Sequence, residues 1–452
     1  MISKIKKFYK GGVSSPLLQD SKLITSLYQR HRMQVFLSIT LGYGFYYVSR
    51  LALSVAKKPM LDAKVMDVQE MGLMGSAMLF AYGIGKFANG FLADRCNMKR
   101  FIPTGLFISA LINLLLGFTT LFWVFVLLWA LNGWFQSMGA APSIVSLSQW
   151  FSNRERGTYY GIWYVSHNIG EAITFVGIAF FVSTYGWQYG FGSAGAICVF
   201  AAIIMYHFMS DRPETLGLPN ICDYKNDHAE NGNGVRVKTL TVKEAQLEVL
   251  KNPAIWILGI SSACMYISRY AVNNWAVLFL QETKNYSLMM AGSIISSSPI
   301  MGILGSVSCG FISDRFFRSR RNIPNLLFSS MVIISLLIFY YTPPGHPWID
   351  TIAMGLFGVG ISASVTFLGG LMAVDISSRS ATGAAMGLIG VFSYAGATLQ
   401  DAISGYLLNA NKVTLASGAI TYDFGPVILF WIGAAIVATL LPLLVWNANA
   451  KE

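Results

Sequence analysis

Charge is what this sequence has least of. Only 12% of its 452 residues are Asp, Glu, Lys or Arg, about half the share found in ordinary soluble domains. Because 54% of the chain is hydrophobic, a single water-soluble core is excluded. Charge is missing altogether from Phe101 to Asn153, Ala172 to Ser210, Asn285 to Ser313, Asn322 to Ile349 and Phe424 to Ala450. Each run exceeds the roughly 20 apolar residues with which a helix crosses a bilayer. Backbone polar groups in hydrocarbon must be paired within the segment or around a closed barrel, and these runs are too long for alternating strands. Cysteine is also sparse: Cys96, Cys198, Cys222, Cys264 and Cys309 lie scattered, without pairing or metal-ligand spacing, so neither disulfides nor a metal site is expected. The basic stretch Met1 to Arg32 lacks the short apolar core and small-residue cleavage site of a signal peptide and reads as a retained cytoplasmic tail. A net charge of +11 suggests nucleic acid in a soluble chain. Here the basic residues flank apolar spans on alternate loops, which marks topology; the expected partner is a lipid bilayer, and no nucleic acid.

What is present divides the chain. Breaking the apolar runs at charged or Pro/Gly turns predicts spans near 33–56, 70–93, 101–119, 121–150, 157–184, 188–210, 253–281, 287–313, 323–342, 348–374, 382–410 and 424–447. With the N-terminus in the cytoplasm, most Lys and Arg fall on cytoplasmic loops. Only Lys57, Lys58, Lys64, Lys284 and Lys412 are then external, and Arg50, Lys86 and Arg269 lie within spans. That bias predicts an even number of spans with both termini cytoplasmic. The polar segment from Asp211 reads as a linker, giving a tail at 1–32, a six-helix bundle at 33–210, a linker at 211–252, a second bundle at 253–447 and a tail at 448–452. The expected fold is an all-α membrane protein of about 12 transmembrane helices.

An internal repeat relates the two halves. Gly90-Phe91-Leu92-Ala93-Asp94-Arg95 recurs as Gly310-Phe311-Ile312-Ser313-Asp314-Arg315, and Tyr47-Val48-Ser49-Arg50 recurs, almost equally displaced, as Tyr266-Ile267-Ser268-Arg269. A weaker echo aligns Gly157, Gly161 and Gly170 with Gly383, Gly387 and Gly396. Two motifs with one spacing argue for duplication. Transporters built from parallel repeats place their substrate near the midplane, where the halves meet.

Arg50 and Arg269 fall deep in the first and seventh spans, where a charge costs at least about 2.5–3.5 kcal/mol. The repeat places them on opposite sides of the pseudo-two-fold axis. Two guanidiniums that converge without acids are tolerable only if an anion visits, and their planar fork suits phosphate oxygens. The alternative is that each pairs with a carboxylate or a carbonyl. Lys86 adds a third interior cation, or else reaches toward the cytoplasmic end near Asp94. His167 and Glu171 share one face of the fifth span at i, i+4 and can couple proton movement to binding; equally, His167 can be a packing residue and Glu171 a neutraliser of Lys86 or an arginine. Asp401, in the eleventh span, can orient an arginine or contact a substrate hydroxyl. Tyr47 and Tyr266, beside the arginines, are candidate phosphate ligands. Asp94, Arg95, Asp314 and Arg315 sit at cytoplasmic span ends and are expected to form ion pairs and gate the halves.

The repeated Asp-Arg loop after the second and eighth spans resembles the major facilitator superfamily. Tyr46-Tyr47-Val48-Ser49-Arg50, Tyr82-Gly83-Ile84-Gly85-Lys86-Phe87, Gly133-Trp134-Phe135-Gln136-Ser137-Met138-Gly139, Arg154-Glu155-Arg156-Gly157, Trp163 with His167-Asn168-Ile169-Gly170, and Arg269 resemble the organophosphate:phosphate antiporters within it. The resemblance implies two pseudo-symmetric six-helix bundles and a bacterial inner-membrane location. It implies that Arg50 and Arg269 bind a phosphoryl group with Lys86 and His167 contributing, and that inorganic phosphate is the exchanged ion. The sequence departs from the family pattern at Leu51, at Ala140-Ala141-Pro142-Ser143 and at Glu171, where the family has a lysine, a Trp-Pro-Pro-Cys-like run and a glycine.

The expected function is exchange of a small organophosphate, glycerol 3-phosphate or a hexose phosphate, for inorganic phosphate. The protein is expected to act as a monomer, with no cofactor and no enzymatic step. A membrane sensor of hexose phosphate that signals to a partner kinase, and a proton-coupled symporter, are the alternatives.

Overall fold

The computed structural model describes residues 7–93, 95–226, 242–317, 320–376, 382–414 and 420–446. Twelve helical rods follow one another: span 1 Ser21–Asp62, span 2 Val68–Ala93, span 3 Met98–Leu116, span 4 Phe122–Trp150, span 5 Glu155–Tyr185, span 6 Trp187–Phe208, span 7 Pro253–Thr283, span 8 Leu288–Phe317, span 9 Asn322–Tyr341, span 10 Pro347–Leu371, span 11 Thr382–Ala410 and span 12 Gly425–Val445. Among the described residues, nine of these are long and apolar enough to cross a membrane. Spans 1, 2 and 11 are as long, and they carry Arg50 and Lys57, Lys86, and Asp401 respectively.

Helix starts follow local chemistry. The Asp20 carboxylate accepts the Lys22 amide at 2.9 Å, and Asn252 caps span 7 ahead of Pro253, whose missing amide hydrogen costs nothing at that position. Span 1 therefore begins at Ser21, within the stretch expected as tail, and runs on past Pro59 to Asp62. Lys57 and Lys58 belong to this helix, which corrects their expected place in an external loop. Spans 5 and 10 each contain a π-helical turn, Thr174–Ile178 and Phe367–Leu371, and a two-stranded hairpin pairs Lys412–Thr414 with Ile420–Tyr422 between spans 11 and 12.

The helices pack as the repeat predicts. Span 1 lies against 5 and 6, span 2 against 4, and span 3 against 4 and 6; correspondingly span 7 lies against 11 and 12, span 8 against 10, and span 9 against 10 and 12. Close approaches repeat in the same register. Gly133 on span 4 faces the Met78 carbonyl of span 2, and Gly358 on span 10 faces the Ser298 carbonyl of span 8. Gly170 meets the backbone of Gly44 and Gly396 that of Ala263, which gives one pair of the weaker glycine echo a packing cause.

The halves touch through spans 2 and 11, 5 and 8, and 1 and 7. Away from the face that bears the N-terminal segment and the linker, contact is tight. Lys58 binds Glu282 at 2.6 Å, the Ser76 hydroxyl donates to the Thr398 carbonyl at 2.7 Å, and Asn409 donates to Gln69 at 2.8 Å. A Cβ on Gly75 would collide with Asp401, and one on Gly292 with the Phe175 carbonyl. Toward the face bearing the N-terminal segment, a Cβ on Gly90, Gly161, Gly310 or Gly387, on spans 2, 5, 8 and 11, would meet nothing within 4 Å beyond its own stretch of helix. The bundle is closed at one end and parted at the other.

That contrast predicts opposite effects of one substitution. Gly133→Ala and Gly358→Ala force a methyl against a neighbouring backbone and should each cost about 1–3 kcal/mol. Gly310→Ala, in open space, should be neutral or stabilise by up to about 1 kcal/mol. Melting temperatures of the detergent-purified variants check this, and equal effects at all three positions contradict the packing.

Candidate functional site

Span 1 presents its polar residues inward and fixes them through its own backbone. The Ser49 carbonyl accepts the side-chain amides of Asn113 and Asn132, at 3.0 and 3.1 Å, and its hydroxyl accepts from Gln136 Nε2 at 2.8 Å. The Tyr46 hydroxyl donates to the Ile102 carbonyl at 2.7 Å. Held by Ser49, Gln136 turns its Oε1 toward Arg50 Nε, 3.4 Å away. The guanidinium lies over the rings of Tyr47 and Tyr82, 4.5 and 4.3 Å from their centroids. Arg50 is 4% exposed, and Nη1 and Nη2 are buried without a hydrogen-bond partner. Ring faces recover about 0.5–2 kcal/mol each for a cation, well below what an unpaired buried charge loses in solvation.

Arg269, its counterpart on span 7, is placed differently. Its Nη2 lies 3.4 Å from Glu171 Oε1 on span 5, and Asn273 donates to the same oxygen at 3.4 Å. A tight guanidinium–carboxylate bond measures about 2.7–2.9 Å, so this pair is loose. It also joins the two halves. The expectation of two unpaired arginines holds for Arg50 alone: Glu171 is Arg269's partner, one of the pairings the sequence left open. The Arg269 guanidinium carbon lies 6.0 Å from the centroid of the Tyr266 ring, Tyr266 packs on Tyr394, and Tyr394 packs on the Tyr82 ring beside Arg50, so one chain of rings links the two cations.

The other candidates surround this centre. Tyr82 and Tyr266 pack on Tyr394 with centroids at 4.8 and 5.6 Å, so rings from both halves meet. Lys86 Nζ sits 5.2 Å from the Tyr394 ring, but the side chain is exposed and lies on the rim of the buried centre. His167 is buried, its ring 5.3 Å from that of Tyr47, and its Nδ1–H donates to the Tyr164 carbonyl, which leaves Nε2 as an acceptor. Asp401 meets no arginine. It accepts from Trp275 Nε1 at 2.6 Å and Asn274 Nδ2 at 2.8 Å, so its suggested role in orienting an arginine is not what its contacts serve.

Of the expected gate residues, Asp94 lies outside the described residues. Arg95 is exposed, and its carbonyl accepts the Gly11 amide at 3.3 Å. Asp314 pairs with Arg321 at 2.6 Å, Arg321 approaches Asp375 at 3.4 Å, and Arg315 is exposed. Sequence reasoning passed over Arg321 as the partner of Asp314, Gln136 and Tyr82 as neighbours of Arg50, and Lys57. The signal for Lys57 was its spacing: seven residues past Arg50, it occupies the same helix face two turns on.

Residues 39–400 match the Major Facilitator Superfamily. The chain is 35% identical over 447 residues to a protein of Bacillus subtilis (strain 168) named "Glycerol-3-phosphate transporter", covering 96% of each. It is 32% identical to a "Probable hexose phosphate transport protein" of Chlamydia pneumoniae, covering 99% of this chain and 98% of that one. Among solved structures, a bacterial homolog of the human lysosomal transporter Spinster, inward-facing and unoccupied, superposes with a TM-score of 0.70 at 15% identity, covering 92% of this chain and 96% of that one.

The loose pair yields a test with a defined sign. Glu171→Gln leaves the half-buried Arg269 without its acid, so the empty protein should melt lower. The same change removes a competitor for the guanidinium, and the stabilisation produced by saturating inorganic phosphate should grow, because ligand that binds only the folded state raises its stability. A phosphate-induced shift smaller than the wild-type shift contradicts this arrangement.

Proposed function

The chain belongs to the major facilitator superfamily and is a membrane transporter, and on that premise we propose that it exchanges a small phosphate ester for inorganic phosphate through the Arg50/Arg269 centre. The observation that carries this reading is the Arg50 guanidinium, buried with both terminal nitrogens free of partners. Two phosphate oxygens can accept from the planar, two-pronged guanidinium, and the anion's charge complements it. The relatives named for glycerol 3-phosphate and hexose phosphate support the same class of cargo.

In this mechanism the anion reaches the centre from the parted end of the bundle, which we assign to the cytoplasm together with both termini. The phosphoryl group takes the open donors of Arg50 and draws Arg269 away from its long contact with Glu171. Tyr47 and Tyr266 supply hydroxyls, and Lys86 on the rim attracts the incoming charge. With the cations neutralised, the halves close over the solute at the parted end and separate at the other. An empty carrier would have to bring the Arg50 and Arg269 guanidiniums together with no anion between them, which disfavours its return and makes exchange obligatory. The Asp314–Arg321 pair lies within the second half and ties its span ends together, so that this half moves as one body. The protein works as a monomer in a bacterial inner membrane.

Counterflow into proteoliposomes tests the exchange. Uptake of labelled phosphate should require phosphate inside the vesicle, and Arg50→Lys, which keeps the charge but loses the fork, should cut it by about tenfold or more. Robust uptake by that variant, or uptake driven by a pH gradient with no internal phosphate, contradicts the mechanism; the second result assigns His167 and Glu171 to proton coupling instead.

A further inference from the structure

Beyond Arg50, toward the closed end of the bundle, a small cavity continues along span 1. Arg50, Ser54, Lys57, Tyr270, Asn274 and Asp401 are among its lining residues. Arg50, Ser54 and Lys57 stand at i, i+4 and i+7 on one helix face, so the cavity follows about two turns, roughly 10 Å, of span 1. Lys57 is 1% exposed, and its ammonium has no hydrogen-bond partner. Among the described residues it rests on the Trp275 ring, whose centroid lies 3.3 Å from Nζ. The indole nitrogen of that same ring donates to Asp401, and Asn274 holds the other carboxylate oxygen. Spans 1, 7 and 11 thus bring an ammonium with three unused donors and a fully buried carboxylate to the wall of one cavity, adjoining the proposed phosphate anchor.

We propose that Lys57, Asp401 and Asn274 form the subsite for the organic part of the transported ester, and that this part is hydroxylated and uncharged. The inference rests on the phosphate reading above, since it assumes that the phosphoryl group sits at Arg50. A hydroxyl is donor and acceptor at once: it accepts from Lys57 and donates to a remaining lone pair of Asp401. An ester without hydroxyls leaves the ammonium unsatisfied, which is the larger loss in a site built to hydrogen-bond. A carboxylate would gain Lys57 but meet Asp401, and the pair's formal charges cancel, so a carboxylated ester gains no net attraction there. The site accordingly selects polyol phosphates, such as glycerol or hexose phosphates, over phosphoglycerates and simple alkyl phosphates.

Competition against labelled phosphate in proteoliposomes preloaded with phosphate decides this without any variant. Glucose 6-phosphate or glycerol 3-phosphate should half-inhibit at concentrations about tenfold or more below ethyl phosphate, the loss expected for one charged hydrogen bond, with 3-phosphoglycerate weaker than both. In Lys57→Gln and Asp401→Asn that advantage over ethyl phosphate should shrink by about the same factor. Equal inhibition by ethyl phosphate and both hydroxylated esters, 3-phosphoglycerate as the strongest competitor, or an undiminished preference in both folded variants overturns the proposal. Failure of the wild type to exchange phosphate at all would fall on the preceding reading instead. The same four esters compared by melting-temperature shift would then still test the subsite.

Discussion

A guanidinium held out of water with no acid beside it is the constraint around which this molecule is arranged. Arg50 lies over two tyrosine rings, and a single glutamine oxygen faces its Nε, so most of its lost hydration is not replaced. The surrounding scaffold imposes that position. The Ser49 carbonyl next to it is bonded twice by asparagines from spans 3 and 4, and Gln136 is anchored on the Ser49 hydroxyl. The chain keeps an unsatisfied cation because the helix that carries it cannot turn away.

Duplication built the scaffold, and departure from symmetry made it selective. Helix pairing in one half is repeated in the other, down to glycines that admit a neighbouring carbonyl at equivalent depths. The two arginines occupy equivalent positions in that frame, yet one lies on aromatic faces and the other faces a carboxylate from the opposite half. Glu171 has no acidic counterpart in the repeat: its equivalent residue is Ala397, one place after Gly396. The result is a centre with one committed donor and one that can be drawn away. Such an arrangement ties binding to the relative position of the halves, because the Arg269–Glu171 contact crosses between them.

The ends of the bundle differ for a related reason. Spans 2 and 11 can approach closely at the closed end because Gly72, Gly75 and Gly405 present no side chains there. Their glycines at the other end meet nothing. The same two helices therefore carry side-chain-free positions at both ends but pack closely at one. Asp401 belongs to that closed seam and also to the cavity beyond Arg50, so events in the cavity bear directly on the seam.

By itself the sequence determined the membrane setting, the helical class, the division into two related halves and the depth of Arg50 and Arg269. These follow from charge-free length, from loop charge bias and from a repeated motif, all properties of local order along the chain. It left Lys57 in a loop, because a charge near a span end looks the same whether the helix stops before it or continues. It left the partner of Glu171 open among several cations. Only the tertiary structure decided those points, since the burial of Lys57 depends on Trp275 of span 7 and Asp401 of span 11 arriving beside it. The choice of Arg269 over Arg50 by Glu171 is a matter of which helix faces which across the central seam, and no spacing within one span encodes that.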